Sequence, residues 1–462
     1  MSEHVGYIVK VEHLRPHSNA DRLQVATFFG NDTCVSLDTV KGEIGIYFPT
    51  DLQLSEEFCE VNNLVRKKDD AGNNIGGYMD PNKRNVTTIK LRGEKSDGLF
   101  LPISCLTYTG VDMDTLDIGD HVDIINGHEI CRKYIPVVKE KNSKDNKEGN
   151  RVRKHKVPIA PLFIEHADTE QLAYNLDAFK EGDLIEITLK MHGTSQRTGY
   201  LPIFKGYKRT LWDRIRRKDG TPIYDWGYVS GTRRTVLNNF DGGYYGSNEF
   251  REAHSKFFEG KLHKGEEVYY EVVGFQTSGA PIMGAVENKK TGDKEFIKQY
   301  GETTVFSYGC SPDGKKKMYG TDDISNFAVE IDVPQSDFYV YRMTMTNEDG
   351  DVVEYTPDFM RYRCEQMGCK TVPVLWHGYL QGDASVSPGE RVQAIAENFY
   401  DGPDPVGKTH VREGVVVRIV NKPKFTAYKH KNFYFKALEG IIKAEAEAPD
   451  IEEAQELEEV QE

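Results

Sequence analysis

Two periodicities of apolar residues divide the chain. Between residues 5 and 125, short runs of alternating or β-branched side chains stand between turn residues: "GYIVKVEHL", "LQVATFF", "TCVSL", "IGIYF", "VTTIKLRG" and "HVDII". Period-two alternation punctuated by Gly, Asn and Asp predicts short strands, and their succession predicts a small β-barrel or sandwich. From 157 to 440, strand-like runs such as "LIEITLK", "EVYYEVVGF", "TTVFSYG" and "EGVVVRIV" are interleaved with other stretches. In "SNEFREAHSKFFE", "TPDFMRYRCEQMG" and "SPGERVQAIAENFY" the apolar residues recur every three or four positions, as on a helix face. This second region is expected to be an α+β body of catalytic size.

At 462 residues the chain exceeds one ordinary core. The expected division is a β module at 1–130, a basic linker at 131–156, the α+β body at 157–443 and an acidic tail at 444–462. No apolar run is long enough for a membrane span, and "MSEHVGYIVKVEHL" lacks the pattern of a secretory signal, so a cytoplasmic chain is expected. Seven cysteines without a CxxC pair fit reduced thiols and no zinc site. The net charge of −14 argues against a nucleic-acid partner only as an average, because the residues from Glu445 onwards carry nine acids and no base. Residues 132–156 hold ten Lys/Arg against three acids, and "FKGYKRTLWDRIRRK" at 204–218 holds seven against one, with Tyr207 and Trp212 interleaved. Cations between aromatic rings suit nucleic acid, since charges track phosphates and rings stack on bases. The first cluster, with "KEKNSKDNKEGN" at its centre, reads as a linker; the second is expected to touch substrate.

The stretch "IEITLKMHGTSQRTG", 185–199, ends an apolar strand in Lys190 and turns at once on Gly193. A lysine held partly desolvated beside a tight turn can present a free amine, which is a nucleophile. A glycine lets backbone approach a phosphate, and Thr194 and Ser195 add hydroxyl donors. Alone, a KxxG tetrapeptide is common in proteins. Here it has company: "VSGTRR" with Arg233 and Arg234, "YYEVVGF" with Glu271, "TTVFSYG" with Phe306 and Tyr308, "REGVVVRI" with Glu413, and "YKHKNFYF" with Lys429 and Lys431.

In that order the chain resembles the covalent nucleotidyltransferase superfamily of ATP-dependent polynucleotide ligases and capping enzymes, whose motifs I, Ia, III, IIIa, IV and V carry these residue types. The KxHGTS form is similar to the RNA ligase branch, since DNA ligases and capping enzymes usually carry KxDG. "LRPHSNADRLQVATFFG", "GEIGIYFPTDLQLSEEF" and "TIKLRGEKSDGLFLPIS" resemble the OB-like module that precedes the catalytic domain in one RNA ligase subfamily. The resemblance implies an ATP-grasp-like nucleotidyltransferase domain of antiparallel sheets with flanking helices behind a small OB-like β-barrel that grips RNA.

It further implies that Lys190 attacks the α-phosphorus of ATP and holds AMP, which passes to an RNA 5′-phosphate before a 3′-hydroxyl displaces it. Glu413 is expected to hold Mg2+ or Mn2+, and Lys429 and Lys431 to meet the AMP phosphate. Gly193 and His192 would shape the nucleotide loop, Glu271 accept from ribose hydroxyls, Phe306 stack on adenine with Tyr308 as second choice, and Arg233 contact the ribose or the 5′-phosphate end. Arg197 and Arg234 compete with Arg233, and Lys436 is a weaker alternative in the last motif. Partners implied are ATP and RNA, as a nicked duplex, broken ends or an RNA/DNA hybrid, with no membrane and no protein partner. The segment 276–303 reads as a hairpin or loop insertion, and 310–411 has room for a helical subdomain. Past Lys431 too few residues follow for the C-terminal barrel of DNA ligases and capping enzymes. A capping-type guanylyltransferase and a non-catalytic RNA-binding protein are the competing readings.

Overall fold

The computed structural model describes residues 4–67, 75–135, 158–166, 169–215, 220–233, 235–237, 240, 248–319 and 328–445. Most of the basic linker, the acidic tail beyond 445, Arg234 and residues 216–219 of the second basic cluster lie outside them. The described residues fall into two compact units, neither of which is a single stretch of chain.

The first unit comprises Met1–Val138, Val286–Thr303 and Phe433–Ala454. Its strands are antiparallel and short. Gly6–Lys10, Ile44–Phe48, Leu99–Pro102 and His121–Val122 form one sheet, Leu14–Pro16, Leu23–Phe28 and Asn31–Ser36 another, and Thr88–Leu91 pairs with Glu94–Asp97. Ile8, Ile46, Phe48, Leu52, Leu54 and Phe58 fill the core. Among the described residues the ladders do not close into the barrel expected from sequence. Strands of two to six residues break at each turn, and side chains bridge some of the gaps: Thr33 Oγ1 donates to Asp97 O at 2.7 Å, and Ser96 Oγ accepts from Cys34 N at 3.0 Å.

The segment read as a loop insertion contains a helix, Lys294–Tyr300, whose N-cap Asp293 accepts from Glu295 N and Phe296 N. Asp293 also pairs with Lys90 at 2.6 Å and accepts from Tyr434 Oη at 3.1 Å. Tyr434 lies in the first turn of the helix Phe433–Glu445, on which Lys436 pairs with Asp97. Lys436, the alternative for the last motif, therefore serves the first unit's packing, and the body expected at 157–443 cedes two segments to this unit.

The second unit, Lys139–Ala285 with Thr304–Asn432, holds two larger sheets, almost wholly antiparallel. In one, Val374–Tyr379, Leu184–Lys190, Gly414–Ile419 and Ala427–Lys431 run side by side, and Glu170–Gln171 joins in parallel at the edge. In the other, Thr221–Gly231, Thr194–Lys208, Glu266–Gly274 and Ser336–Thr346 are successive neighbours. The stretch 310–411 is shared between strands and the helices Pro357–Met367 and Pro388–Glu397, so no helical subdomain forms among its described residues. No helix among the described residues is long and apolar enough to cross a membrane.

Candidate active site

The turn after Lys190 carries the chain from one large sheet into the other. Ile185 and Ile187 point into a core with Val415, Val417 and Ile419, so the alternate residues Glu186, Thr188 and Lys190 must face the other way. That face lines a cavity open to solvent. Register extends the face across three strands. Lys190, Gly414 and Lys431 form one row, Thr188, Val416 and Lys429 the next, and Glu186, Arg418 and Ala427 the third.

The first row holds a compact charge cluster. Glu413, buried just before Gly414, lies 2.7 Å from Lys190 Nζ and 3.9 Å from Lys431 Nζ through Oε1, with His192 Nδ1 3.7 Å from Oε2. Gly414 takes φ +150°, and a Cβ there would sit 2.2 Å from His430 O, so glycine lets the two strands close up beside the cluster.

Glu271 belongs to the second sheet and faces the same cavity. Its Oε1 accepts from Gly193 N at 3.1 Å. The requirement for glycine at 193 comes from this contact: a Cβ would fall 2.3 Å from Val272 O and 2.9 Å from Glu271 Cγ. His192 N donates to Tyr308 Oη at 2.7 Å, and Arg251 Nη1 to Ser195 O at 3.0 Å, so both ends of the turn are tied to buried side chains.

Burial pushes the Glu271 carboxyl from 4.5 up to about 7, with Lys190 opposing, Glu413 reinforcing and Arg233 opposing. The sign follows directly. Between pH 4.5 and 7 the folded chain keeps a proton that the unfolded chain has lost, so Glu271's contribution to stability declines as pH rises through that window. Glu271→Gln cannot ionise and escapes the decline. Its melting temperature is expected to gain on the parent by roughly 2 °C or more between pH 5 and 8; calorimetry at both ends checks it, and a constant difference refutes it.

Arg233 lines the cavity, and its carbonyl accepts from His166 N at 3.0 Å. Arg197 is fully buried: Nε donates to Thr232 O at 2.8 Å and Nη1 pairs with Glu267 at 3.2 Å, so it anchors the loop bearing Arg233 and does not reach the cavity.

Phe306 is 2 % exposed, its ring 4.6 Å from His192 and 5.3 Å from His410, and it does not line the cavity. Thr303–Thr304 lies outside both large sheets; the strand beside Glu271's own is Ser336–Thr346. From it Tyr341 reaches the cavity wall, within 3.2 Å of Ser195 Oγ, its hydroxyl pushed up to about 12 by burial. Sequence reasoning missed Tyr341, although "SDFYVYRMT" alternates as a strand should. It also missed Glu186, Phe425 and His166 on the same wall. Glu186 pairs with Arg361 at 2.7 Å. Burial, then Arg342, Arg233 and Arg197, hold His166 well below its ordinary range and so neutral at pH 7. Arg342 Nη1 can only donate, so His166 Nδ1, 2.9 Å away, accepts and the proton sits on Nε2.

No family model matches the chain, and no curated protein sequence matches it. Solved structures do. An unliganded mutant of the Naegleria gruberi RNA ligase R4a aligns with TM-score 0.54 at 17% identity, over 94% of this chain and 98% of that one. A mutant of the Naegleria gruberi RNA ligase with ATP and Mn aligns with TM-score 0.52 at 16% identity, over 93% and 98%. Another, with AMP and Mn, gives 0.52 at 15% identity, over 93% and 97%. At these identities the likeness is one of fold, and it runs the length of both chains.

Proposed function

We propose that this protein is an ATP-dependent RNA ligase that joins a 3′-hydroxyl to a 5′-phosphate through AMP bound covalently to Lys190. One observation carries the reading: Lys190 and Glu271, from the two large sheets, line one cavity, and Glu413 lies 2.7 Å from Lys190 and 3.9 Å from Lys431. The shared fold with RNA ligases solved with ATP and with AMP supports it.

Lys190 Nζ gives its proton to Glu413 Oε1, the acceptor 2.7 Å away, and attacks the α-phosphorus of ATP. A P–N bond forms, the bond to the β-phosphate oxygen breaks, and pyrophosphate leaves. An oxygen of the RNA 5′-phosphate then attacks the same phosphorus, the P–N bond breaks, and Lys190 recovers a proton. Finally the 3′-hydroxyl gives up its proton to solvent and attacks the RNA 5′-phosphorus, the P–O bond that joins this phosphorus to AMP breaks, and AMP departs. Every step is displacement at phosphorus, so the chain's task is alignment and charge compensation. Lys431 and Lys429, alternate residues on one face, would hold the AMP phosphate. Arg233 would meet the ribose or the incoming 5′-phosphate, and Glu271 the ribose hydroxyls. Tyr341, on the cavity wall, is a better ring for adenine than the buried Phe306.

Among the described residues no three His, Cys, Asp or Glu side chains gather as a metal cage. A single carboxylate facing a triphosphate fits magnesium or manganese, hard cations commonly bound through one or two carboxylates and substrate phosphates. Glu413 would hold it, and the ion would neutralise charge building on the leaving pyrophosphate.

Incubation with magnesium and α-labelled ATP or GTP, followed by a denaturing gel, tests the reading. Label from ATP and not GTP is expected; label from GTP would mean a capping-type guanylyltransferase, and label from neither a binding protein.

A further inference from the structure

The helix Pro357–Met367 stops at Gly368, whose φ of +74° turns the chain out of the helix. Gly368 N donates to Glu365 O at 3.1 Å and Cys369 N to Cys364 O at 3.0 Å. Together these bonds make a Schellman ending, in which the residue after the glycine folds back onto the residue five positions earlier. Both of those residues are cysteines here. Such an ending ordinarily closes on an apolar contact; this one closes on two thiols, and Cys369 Sγ comes within 3.6 Å of Cys364 O. A direct backbone bond between the two residues also draws their Cα atoms close, as a disulfide requires.

The pair is asymmetric. Cys364 is buried, whereas Cys369 is half-buried. A hydrogen bond from the Cys364 thiol holds Cys369 below the ordinary thiol range, with burial opposing and Lys261 assisting. The same contact, then burial, pushes Cys364 up. Lys261 is fixed beside this turn, its Nζ donating to Met367 O at 3.1 Å. Of the other five cysteines four are buried, and the half-buried Cys34 is pushed up by burial. Access and thiolate character therefore coincide at Cys369, with a second thiol against it, which is the arrangement of an attacking and a resolving cysteine.

We propose that Cys369 and Cys364 form a dithiol that reacts with peroxides and closes to a disulfide. The Cys369 thiolate attacks one oxygen of hydrogen peroxide, the O–O bond breaks, and the departing hydroxide takes a proton from solvent and leaves as water, so that Cys369 becomes a sulfenic acid. The Cys364 thiol then attacks that sulfur, the S–O bond breaks, and the hydroxyl leaves with the Cys364 proton as a second water. Two thiols are oxidised and one peroxide is reduced. The bridge stops oxidation at a reversible stage, because a sulfenic acid consumed in this way does not go on to sulfinic acid. It also clamps the end of the helix on which Met360 and Arg361, one turn before Cys364, line the cavity. None of this chemistry depends on the RNA-sealing reading.

Trypsin cuts after Arg363 and Lys370, so both cysteines leave in one peptide, 364–370. The full-length protein is treated with hydrogen peroxide, its remaining thiols are alkylated, and the digest is analysed by mass spectrometry with and without dithiothreitol. Peptide 364–370 is expected unalkylated and lacking both thiol hydrogens, to return to the dithiol with dithiothreitol, and to form about tenfold faster than Cys34 is oxidised. In Cys364→Ser the sulfenic acid on Cys369 has no resolving thiol and is expected to be trapped by dimedone; in Cys369→Ser the buried Cys364 is expected to stay a thiol. Recovery of peptide 364–370 with both cysteines alkylated while Cys34 is oxidised would overturn the proposal, and so would a bridge from either cysteine to another part of the chain. The unmutated protein decides between these outcomes even if Cys364→Ser fails to fold.

Discussion

Lys190→Ala is expected to take no label from ATP and to seal ordinary 5′-phosphate RNA at least about 10³-fold more slowly than the parent, as befits loss of a covalent nucleophile. The same variant should still seal RNA that already carries AMP on its 5′ end. Once the adenylyl group sits on the RNA, the lysine's bond-making is finished, and the remaining displacement needs alignment and charge, which Lys431, Lys429 and Arg233 still provide. The structure makes the split a sharp one. Lys190 is held by a single strong contact, to Glu413 at 2.7 Å, and its side chain is 23% exposed, so truncation leaves no large cavity and the fold should survive. Single-turnover sealing of phosphorylated and pre-adenylylated strands, run in parallel, checks this. Label retained by Lys190→Ala, or loss of both reactions with a native melting temperature, would refute covalent catalysis at this residue.

The sequence carried the local parts of this site well and the long-range parts poorly. Period-two alternation in "LIEITLK" and "EGVVVRIV" marks strands with one apolar face, and Ile185, Ile187, Val415 and Val417 occupy that face in the core. The same alternation puts Glu186 on the lysine's side, a signal available in the sequence and not used. Phe306 and Tyr341 differ in another way. Both are aromatics in β-rich runs, and which one faces the cavity depends on which strand pairs with Glu271's strand, a fact of register that no local pattern contains. Membership of the two units was hidden for a similar reason. The helix Phe433–Glu445 is amphipathic wherever it docks, and its place beside the N-terminal strands rests on contacts such as Lys436 with Asp97, 339 residues apart. Gly193 was legible as a residue with a purpose, although that purpose in the fold is to fit against Val272 and Glu271.

Glu413→Gln should behave unlike Lys190→Ala, failing with both phosphorylated and pre-adenylylated RNA, each by about 10² to 10³. The carboxylate is 3% exposed and is the shared anion for Lys190 and Lys431, at 2.7 and 3.9 Å. An amide of the same shape keeps the packing but leaves two ammonium groups facing each other without a counter-charge, takes away the proton acceptor beside Nζ and removes the one carboxylate in this row that could hold a divalent cation. Those losses bear on different steps, so no single intermediate rescues the variant. Stability should move less than activity, because the two lysine side chains are 23% and 12% exposed and can turn towards water. Raising manganese tenfold separates the roles. Partial recovery of sealing would assign the loss chiefly to weakened cation binding, and no recovery would assign it to the proton and the lysine pair. Full activity of Glu413→Gln at ordinary magnesium would remove Glu413 from the mechanism altogether.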